Sequence, residues 1–175
     1  MNLGGSTMRF MSEIKPQEFS EIFDKIGKDW MLISATDGER TNTMTASWGC
    51  CGVLWNKPIA ICFIRPQRFT FSITESTDRL SLAFLPEEYR SALTYCGRNS
   101  GRDGDKFADS GLTCTSYQGV PYPQEAHTVL ICRKLYADDI KKASFIDDSQ
   151  LAHYEKNDFH RFYICEIEKV LKKNG

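Results

Sequence analysis

The sequence predicts a mainly β protein, an antiparallel β-barrel with attached helices. The first observation is a series of about six or seven short apolar or alternating segments bounded by turn residues, with two or three helical patterns among them. The second is that these strand candidates mostly follow one another directly along the chain, which argues against a doubly wound parallel sheet. Closure removes exposed strand edges, so we expect a closed or partly closed barrel.

Length and composition favour one domain. The chain has 175 residues, of which 41% are hydrophobic. We expect residues 1–12 to form a loose N-terminal leader and residues 13–175 to form the single domain. The 22 Lys and Arg nearly balance the 23 Asp and Glu, so no broad basic field is available for nucleic acid. The longest apolar run, IAICFI, is too short to span a membrane, and we expect a cytoplasmic protein.

The cysteines indicate a reduced protein. The chain has 7 cysteines and no CxxC pair, a pattern that fits neither a disulfide framework nor a zinc ribbon, so we expect no metal site. Cys62, Cys132 and Cys165 lie inside apolar runs, where a free cysteine behaves as a small hydrophobic residue. We expect these three side chains in the core.

The first part of the chain predicts a helix and then a hairpin. Residues 16–26 begin with a proline in the first turn, repeat apolar residues at amphipathic helical spacing and end before Gly27. The apolar positions are Phe19, Ile22, Phe23 and Ile26. The segments WMLISAT and TNTMTASW then flank Asp37-Gly38, a dipeptide that readily takes the positive φ angles of a hairpin turn.

The rest of the chain predicts further strands and one more helix. IAICFI and RLSLAFL are strand candidates, and residues 86–96 form a helical pattern that ends at Gly97. RFTFSIT fits either a strand or a short helix, and its type stays open. HTVLICRKLYADDI and FHRFYICEIEKVL are long strand candidates near the C-terminus.

The segment IRPQRFT is the first candidate for anion binding, in a chain that lacks the Rossmann, P-loop, α/β-hydrolase and zinc-protease motifs. It places Arg65, Arg68 and Thr70 directly after a predicted strand. Two cations and a hydroxyl suit a phosphate held by charge-assisted hydrogen bonds. The alternative from spacing alone is a solvated charged turn.

The loop CGRNSGRDGDKF is the second candidate. It carries Ser100, Arg102 and Lys106, and its glycines let backbone amides approach an anion. The alternative is that Asp103 and Asp105 pair with these cations at the surface.

Four segments in succession resemble the flavoredoxin-like branch of the flavin reductase, FMN-binding split-barrel family. They are NTMTASWG, RPQRFT, CGRNSGRDGDKFADSGLT and DFHRFYICEIEKV, and the resemblance covers about residues 25–171. It implies an antiparallel split β-barrel of Greek-key type, a homodimer that holds FMN near the subunit interface. Related members reduce flavins from NADH or NADPH, or pass electrons to a protein partner.

The resemblance also implies roles for residues. The side chains expected along the flavin ring and ribityl chain are those of Asn42, Thr45, Ala46, Ser47 and Trp48. Arg65, Arg68 and Thr70 are expected at the phosphate, and Ser100, Arg102 and Lys106 belong to the same cofactor-binding set. Lys106 is expected to face the flavin, where a cation would raise its reduction potential.

His160 is the candidate catalytic residue. It lies within the last family segment with Asp158 nearby, an arrangement that suits a proton donor or a hydrogen-bond partner at a flavin or nicotinamide site. In the same segment Cys165 stands where the family usually has glycine.

More than one function stays open at this point. The protein is expected to be an FMN-dependent NAD(P)H oxidoreductase, or instead a non-catalytic FMN-binding protein that exchanges electrons with a redox partner. A third possibility is a ligand-binding barrel without a cofactor.

Overall fold

The computed structural model describes residues 11–174. The strands are β1 (Met11–Ile14), β2 (Met31–Thr36), β3 (Thr41–Ala46), β4 (Gly49–Leu54), β5 (Lys57–Ile64), β6 (Arg79–Phe84), β7 (Cys114–Tyr117), β8 (Val120–Pro123), β9 (Thr128–Asp139) and β10 (Arg161–Lys173). The α-helices are α1 (Phe69–Glu75), α2 (Arg90–Arg98) and α3 (Lys106–Asp109). Short 3₁₀ segments lie at Pro16–Glu18, Glu87–Tyr89, Lys142–Ser144 and Asp148–Tyr154, and a π-helical segment lies at Asp24–Asp29. No helix within this part of the chain is long and apolar enough to cross a membrane.

The main sheet has the strand order β3-β2-β6-β9-β10-β5-β4, with β1 added to β10, while β7 and β8 form a separate hairpin. Every pairing is antiparallel, which confirms the mainly β class with attached helices. The ladder is open between its edge strands β3 and β4 across residues 11–174, so the expected closure into a barrel is not seen. Only Ser47 and Trp48 connect these two edges, and both line the cavities described below.

Both faces of the sheet are covered by apolar side chains. Met31 and Ile33 of β2 belong to one buried cluster, which also holds the predicted core cysteines Cys62, Cys132 and Cys165. Leu32 of the same strand faces a second cluster with side chains from α2, α3 and β8. The alternation along β2 thus separates the two clusters, with α2 and α3 on one face of the sheet and α1, through Ile73, on the other.

The prediction of a single helix over residues 16–26 is wrong. The chain forms a 3₁₀ turn at Pro16–Glu18, passes Glu21 at a φ of 61°, and then forms the π-helical segment Asp24–Asp29, which runs through Gly27. Phe19 packs on Phe84 with ring centroids 5.2 Å apart. The local helical pattern does not form one helix because this turn breaks it, and Phe23 is 94% exposed.

Several other boundaries differ from the sequence prediction. Residues 1–10 of the expected leader lie outside the described residues, but Met11 and Ser12 belong to β1, which pairs with β10. The second predicted helix starts as a 3₁₀ turn and continues through Gly97 to Arg98. The segment RFTFSIT forms helix α1.

Local turn chemistry was predicted well in one hairpin and missed in the next. The Asp37 carboxylate accepts the N–H groups of Glu39 and Arg40, and Gly38 has a φ of 96°, as the hairpin prediction requires. Strand β4 was not predicted. The structure joins β4 to β5 through the two-residue turn Trp55-Asn56, whose φ angles of 52° and 58° suit a tight hairpin. This turn is the sequence feature that could have indicated β4.

Two glycines of β4 give a matched stability test. A Cβ at Gly49 would lie 2.9 Å from the carbonyl oxygen of Ile61, whereas a Cβ at Gly52 would meet nothing within 4 Å. We expect Gly49→Ala to destabilise the fold by about 1–3 kcal/mol through overpacking. Gly52→Ala should change stability by no more than about 0.5 kcal/mol. Urea unfolding of both variants measures the difference, and equal stabilities would contradict the close approach at Gly49.

Candidate functional site

A small polar cavity lies where the start of α1, the end of α2 and the loop before α3 meet. It has a volume of about 210 Å³ and is called the anion pocket below. Its lining consists of Gln67, Arg68, Phe69, Thr70, Arg98, Asn99, Ser100, Gly101, Arg102 and Lys106. This set contains four cationic side chains and no carboxylate.

The cations of the anion pocket have no acidic partners. Within residues 11–174, none of the four takes part in a salt bridge. Asp105 instead caps α3 by accepting the N–H groups of Phe107 and Ala108. The alternative of surface ion pairs with Asp103 and Asp105 is therefore not what the fold forms. Four cations with no counter-charge make a strongly positive pocket.

Lys106 is the most deeply buried of these cations. Its side chain belongs to a residue only 3% exposed, and its Nζ has no hydrogen-bond partner within the described part of the chain. Burial and the positive charge of Arg68 lower the pKa of Lys106 to about 8. A bound anion would supply both the missing partner and the missing counter-charge.

Arg68 is fixed by the end of helix α2. Its two Nη atoms donate to the carbonyl oxygens of Gly97 at 2.7 Å and Cys96 at 3.2 Å. Carbonyls at a helix C-terminus carry partial negative charge, so they hold the guanidinium without cancelling its formal charge. Arg102 is held across the pocket, since it donates to the Gln67 carbonyl at 3.2 Å and lies over a phenyl ring, that of Phe69, at 5.3 Å.

Asn42 supports the wall of the anion pocket from behind. Its Nδ2 donates to Thr70 Oγ1 at 2.8 Å, and both residues are buried. The loop passes so close that a Cβ at Gly101 would overlap the Asn42 carboxamide and lie 2.7 Å from Cδ1 of Phe69. Only glycine fits there, and Asn42 itself does not line the cavity.

A second cavity, here called the ring slot, adjoins the anion pocket. Its volume is also about 210 Å³, and it is lined by Met44, Thr45, Ala46, Ser47, Trp48, Phe63, Arg65, Arg68 and His160. The two cavities share Arg68, so together they form one elongated site with a cationic end and an end that mixes aromatic, small and polar side chains. The Thr45 hydroxyl donates to the Leu93 carbonyl at 2.5 Å, which ties β3 to α2.

Arg65 lies in the ring slot rather than in the anion pocket, where the sequence analysis placed it. Its guanidinium pairs with the Asp158 carboxylate at 2.5 Å and donates to the His153 carbonyl at 3.0 Å. It also lies 5.2 Å from the centroid of the Tyr154 ring. The Asp158 carboxylate, some 90 positions later in the chain, neutralises the Arg65 charge. Through these contacts Arg65 fixes the position of the segment 153–158.

His160 is a neutral side chain within an aromatic cage. Its ring lies 5.2 Å from that of Trp48 and 6.3 Å from that of Phe63, and its Nδ1 is 2.9 Å from the Tyr154 hydroxyl. Burial and the charge of Arg65 lower the pKa of His160 to about 4, so the imidazole is uncharged at pH 7. The expected partnership with Asp158 is not formed, because that carboxylate binds Arg65 and Gln67. Tyr154 was missed by the sequence analysis, since no spacing pattern marks it.

An open apolar cleft of about 630 Å³ continues from the ring slot. Ser47, Trp48 and Phe63 line both spaces. The other lining residues are Ile22, Phe23, Ile26, Gly27, Gly49, Cys50, Cys51, Ile140 and Tyr154, and none of them carries a formal charge at neutral pH. The cleft can therefore admit a planar apolar group beside the slot.

Comparisons with solved structures reveal the same fold in flavin-binding proteins. An FMN-binding domain of a flavin reductases-like enzyme from Shewanella baltica OS155 has a TM-score of 0.69 and 14% identity, covering 93% of this chain and 77% of that one. Flavoredoxin of Desulfovibrio vulgaris (Miyazaki F) has a TM-score of 0.66 and 20% identity, covering 92% and 76%. An NADH:FAD oxidoreductase from Streptomyces globisporus C-1027, in complex with NAD and FAD fragments, has a TM-score of 0.63 and 13% identity, covering 82% and 74%.

At such low identities these likenesses are of fold alone. No curated protein matches the chain significantly. The family model described as the flavin reductase like domain matches residues 23–174, which is most of the chain and includes every residue of the ring slot and the anion pocket. The chain therefore belongs to the flavin reductase like domain family.

Proposed function

We propose that this protein binds FMN in the elongated site and works as an FMN-dependent oxidoreductase of the flavin reductase type. The observation that carries the proposal is the junction at Arg68 of a cationic pocket without carboxylates and an aromatic-edged slot. FMN has the same polarity, with a doubly charged phosphate at one end and a planar ring at the other. The phosphate would occupy the anion pocket and the ring would occupy the slot.

The residues present fit the phosphate. A phosphate monoester carries about 1.5 to 2 negative charges at neutral pH and needs several donors. Lys106 and Arg102 would supply charge-assisted hydrogen bonds, and Ser100 and Thr70 line the same pocket with hydroxyl groups. The sequence analysis expected Lys106 at the flavin ring. Since Lys106 lines the anion pocket and not the slot, we assign it to the phosphate instead.

The residues of the slot would orient the ring and limit water. Ala46 and Ser47 are small, and Trp48 stands at the opening between the slot and the apolar cleft. His160 would act as a neutral hydrogen-bonding group, because an imidazole with a pKa of about 4 is not a cationic acid at pH 7. When bound, FMN would supply the hydride and electron chemistry that these side chains lack.

NADH or NADPH is the proposed electron donor, with its nicotinamide ring in the apolar cleft. The fold neighbour named NADH:FAD oxidoreductase supports this choice. A non-catalytic electron-transfer role is the second candidate. It is favoured by the exposed aromatic edge of the cleft, where Phe23 is 94% exposed and Trp48 is 42% exposed, because a redox protein could dock there.

The proposal also covers the oligomeric state of the protein and its cellular compartment. A homodimer of split barrels would cover the open edge between β3 and β4 and the exposed side chains of Val53 and Trp55, which border that edge. The seven free cysteines, four of which are buried, support a reducing compartment such as the cytoplasm.

Lys106→Met tests the assignment of the anion pocket. We expect the Kd for FMN to rise about 10- to 100-fold, because a charge-assisted contact of about 1.5–3 kcal/mol is lost. The Kd for riboflavin, which has no phosphate, should stay unchanged. Fluorescence titration of both flavins measures this. Lys142→Met, an exposed lysine outside both cavities, is the matched control. Equal weakening of FMN and riboflavin would instead place Lys106 at the ring.

The lowered pKa of Lys106 predicts a pH dependence of FMN binding. Below pH 8 the ammonium is charged and the Kd should be flat, since the phosphate is fully ionised above about pH 7. Above pH 8 the free protein loses this proton, so FMN binding requires proton uptake and weakens by up to about tenfold per pH unit. Titrations from pH 7 to 9.5 should show this for FMN and not for riboflavin. The same inflection in Lys106→Met would assign it to another group.

Stopped-flow reduction separates the enzyme from the electron carrier. Under anaerobic conditions, the FMN-loaded protein is mixed with NADH or NADPH and the flavin absorbance is followed. Rapid bleaching by either nucleotide is expected for the oxidoreductase. Bleaching no faster than that of free FMN would contradict the enzymatic role and leave the carrier as the proposed function.

A further inference from the structure

Tyr154 makes a specific contact with the imidazole of the ring slot. It ends the 3₁₀ segment Asp148–Tyr154, and its hydroxyl lies 2.9 Å from His160 Nδ1. Its ring stacks on Phe159, with centroids 4.7 Å apart and an interplanar angle of 19°. The guanidinium of Arg65 covers the ring at 5.2 Å. The phenol is therefore held from both sides, and its position against the imidazole is fixed.

The direction of this hydrogen bond follows from the donors and acceptors available. A phenol has one proton to donate, and a neutral imidazole has one protonated and one unprotonated nitrogen. Within residues 11–174, His160 Nδ1 is the one hydrogen-bond partner of the Tyr154 hydroxyl. If Nδ1–H donated to the phenol oxygen, the phenolic proton of a buried residue would have no acceptor there, which is unfavourable. Donation from the phenol to Nδ1 is therefore the direction that leaves fewer polar groups without a partner among the described residues.

We propose that Tyr154 is a positioning residue that holds His160 in the Nε2–H tautomer, so that this N–H is the group which the imidazole offers to the ring slot. Nε2 has no other partner within the described residues, and His160 lines the slot. The tautomer is a property of the protein alone. Its use as a donor to a flavin ring rests on the proposed function.

The surrounding charges keep this arrangement neutral. The groups that face the pair are the Arg65 cation from the end of β5 and the Asp158 carboxylate that neutralises it, while His153 packs edge-on against Trp48. Burial raises the pKa of Tyr154, so the phenol keeps its proton. Burial and Arg65 both keep His160 unprotonated. A neutral N–H donor can hydrogen-bond to an uncharged ring acceptor without adding a further cation to Arg65 and Arg68 in the slot.

The test starts from the flavin-free, full-length protein. Long-range ¹⁵N–¹H correlation spectra report which imidazole nitrogen carries the proton, and His160→Gln identifies the His160 signals among the 3 histidines. We expect Nε2–H in the unsubstituted protein between pH 6 and 8. Tyr154→Phe should allow the Nδ1–H tautomer and shift the protonation of His160 to higher pH, because the donor to unprotonated Nδ1 is removed.

A matched control and a binding measurement complete the test. Phe145→Leu removes a ring that packs on Tyr154 at 6.0 Å, and should leave the His160 tautomer unchanged. Riboflavin binding should weaken about two- to tenfold in Tyr154→Phe, the effect of one misdirected hydrogen bond. Nδ1–H in the unsubstituted protein, or an unchanged tautomer and pH titration in Tyr154→Phe, would overturn the proposal. Because the spectra need no flavin, failure of flavin binding would contradict the proposed function and not the tautomer.

Discussion

The burial of the Lys106 ammonium beside Arg68 is the interaction on which the rest of the site depends. Two cations that share a small pocket without a carboxylate repel each other, and burial removes the water that would screen them. A fold keeps such an arrangement only if other contacts hold each group in place. Here carbonyl oxygens hold Arg68, and a carbonyl oxygen and a phenyl ring hold Arg102, while Lys106 is held by the burial of its side chain. None of these contacts neutralises a cation. The pocket therefore keeps its positive charge for a ligand.

The elements around the pocket are joined by contacts between residues far apart in the sequence. The Asn42–Thr70 hydrogen bond joins β3 to α1, and the Thr45–Leu93 hydrogen bond joins β3 to α2. The bond from Arg68 to Gly97 joins the two helix ends across the cavity. Because β3 is an edge strand with one side free of sheet partners, these helices can approach its end directly. The open edge of the sheet is thus what makes room for the site.

The two ends of the site differ in how the fold treats charge. Among the residues that the structure describes, the cations of the anion pocket have no acidic partners, whereas in the ring slot the Arg65 cation is paired with Asp158. His160 adds no charge, because its environment keeps it unprotonated. The result is a site with charge at one end and neutral hydrogen-bonding and aromatic groups at the other. This contrast would let a chain with a net charge of only −1 hold the dianionic ligand of the proposed function.

The sequence by itself determined the elements that depend on local chemistry. The turn at Asp37-Gly38, the strand patterns of β5, β6, β9 and β10, and the two cationic segments could all be read from neighbouring residues. Residues of the family motifs line both cavities of the elongated site. Turn residues and apolar periodicity act over a few positions, and for that reason the sequence reports them directly.

The tertiary structure alone decided which conformation some of these segments adopt and which partners their side chains contact. Whether RFTFSIT forms a helix, and whether Arg65 or Arg68 serves the anion pocket, depends on contacts with segments about 30 to 90 residues away. The same holds for His160, whose partner is Tyr154 and not its near neighbour Asp158. In each case the neighbouring residues allowed two arrangements. The packing of a distant segment selected one of them, and no local pattern encodes that choice.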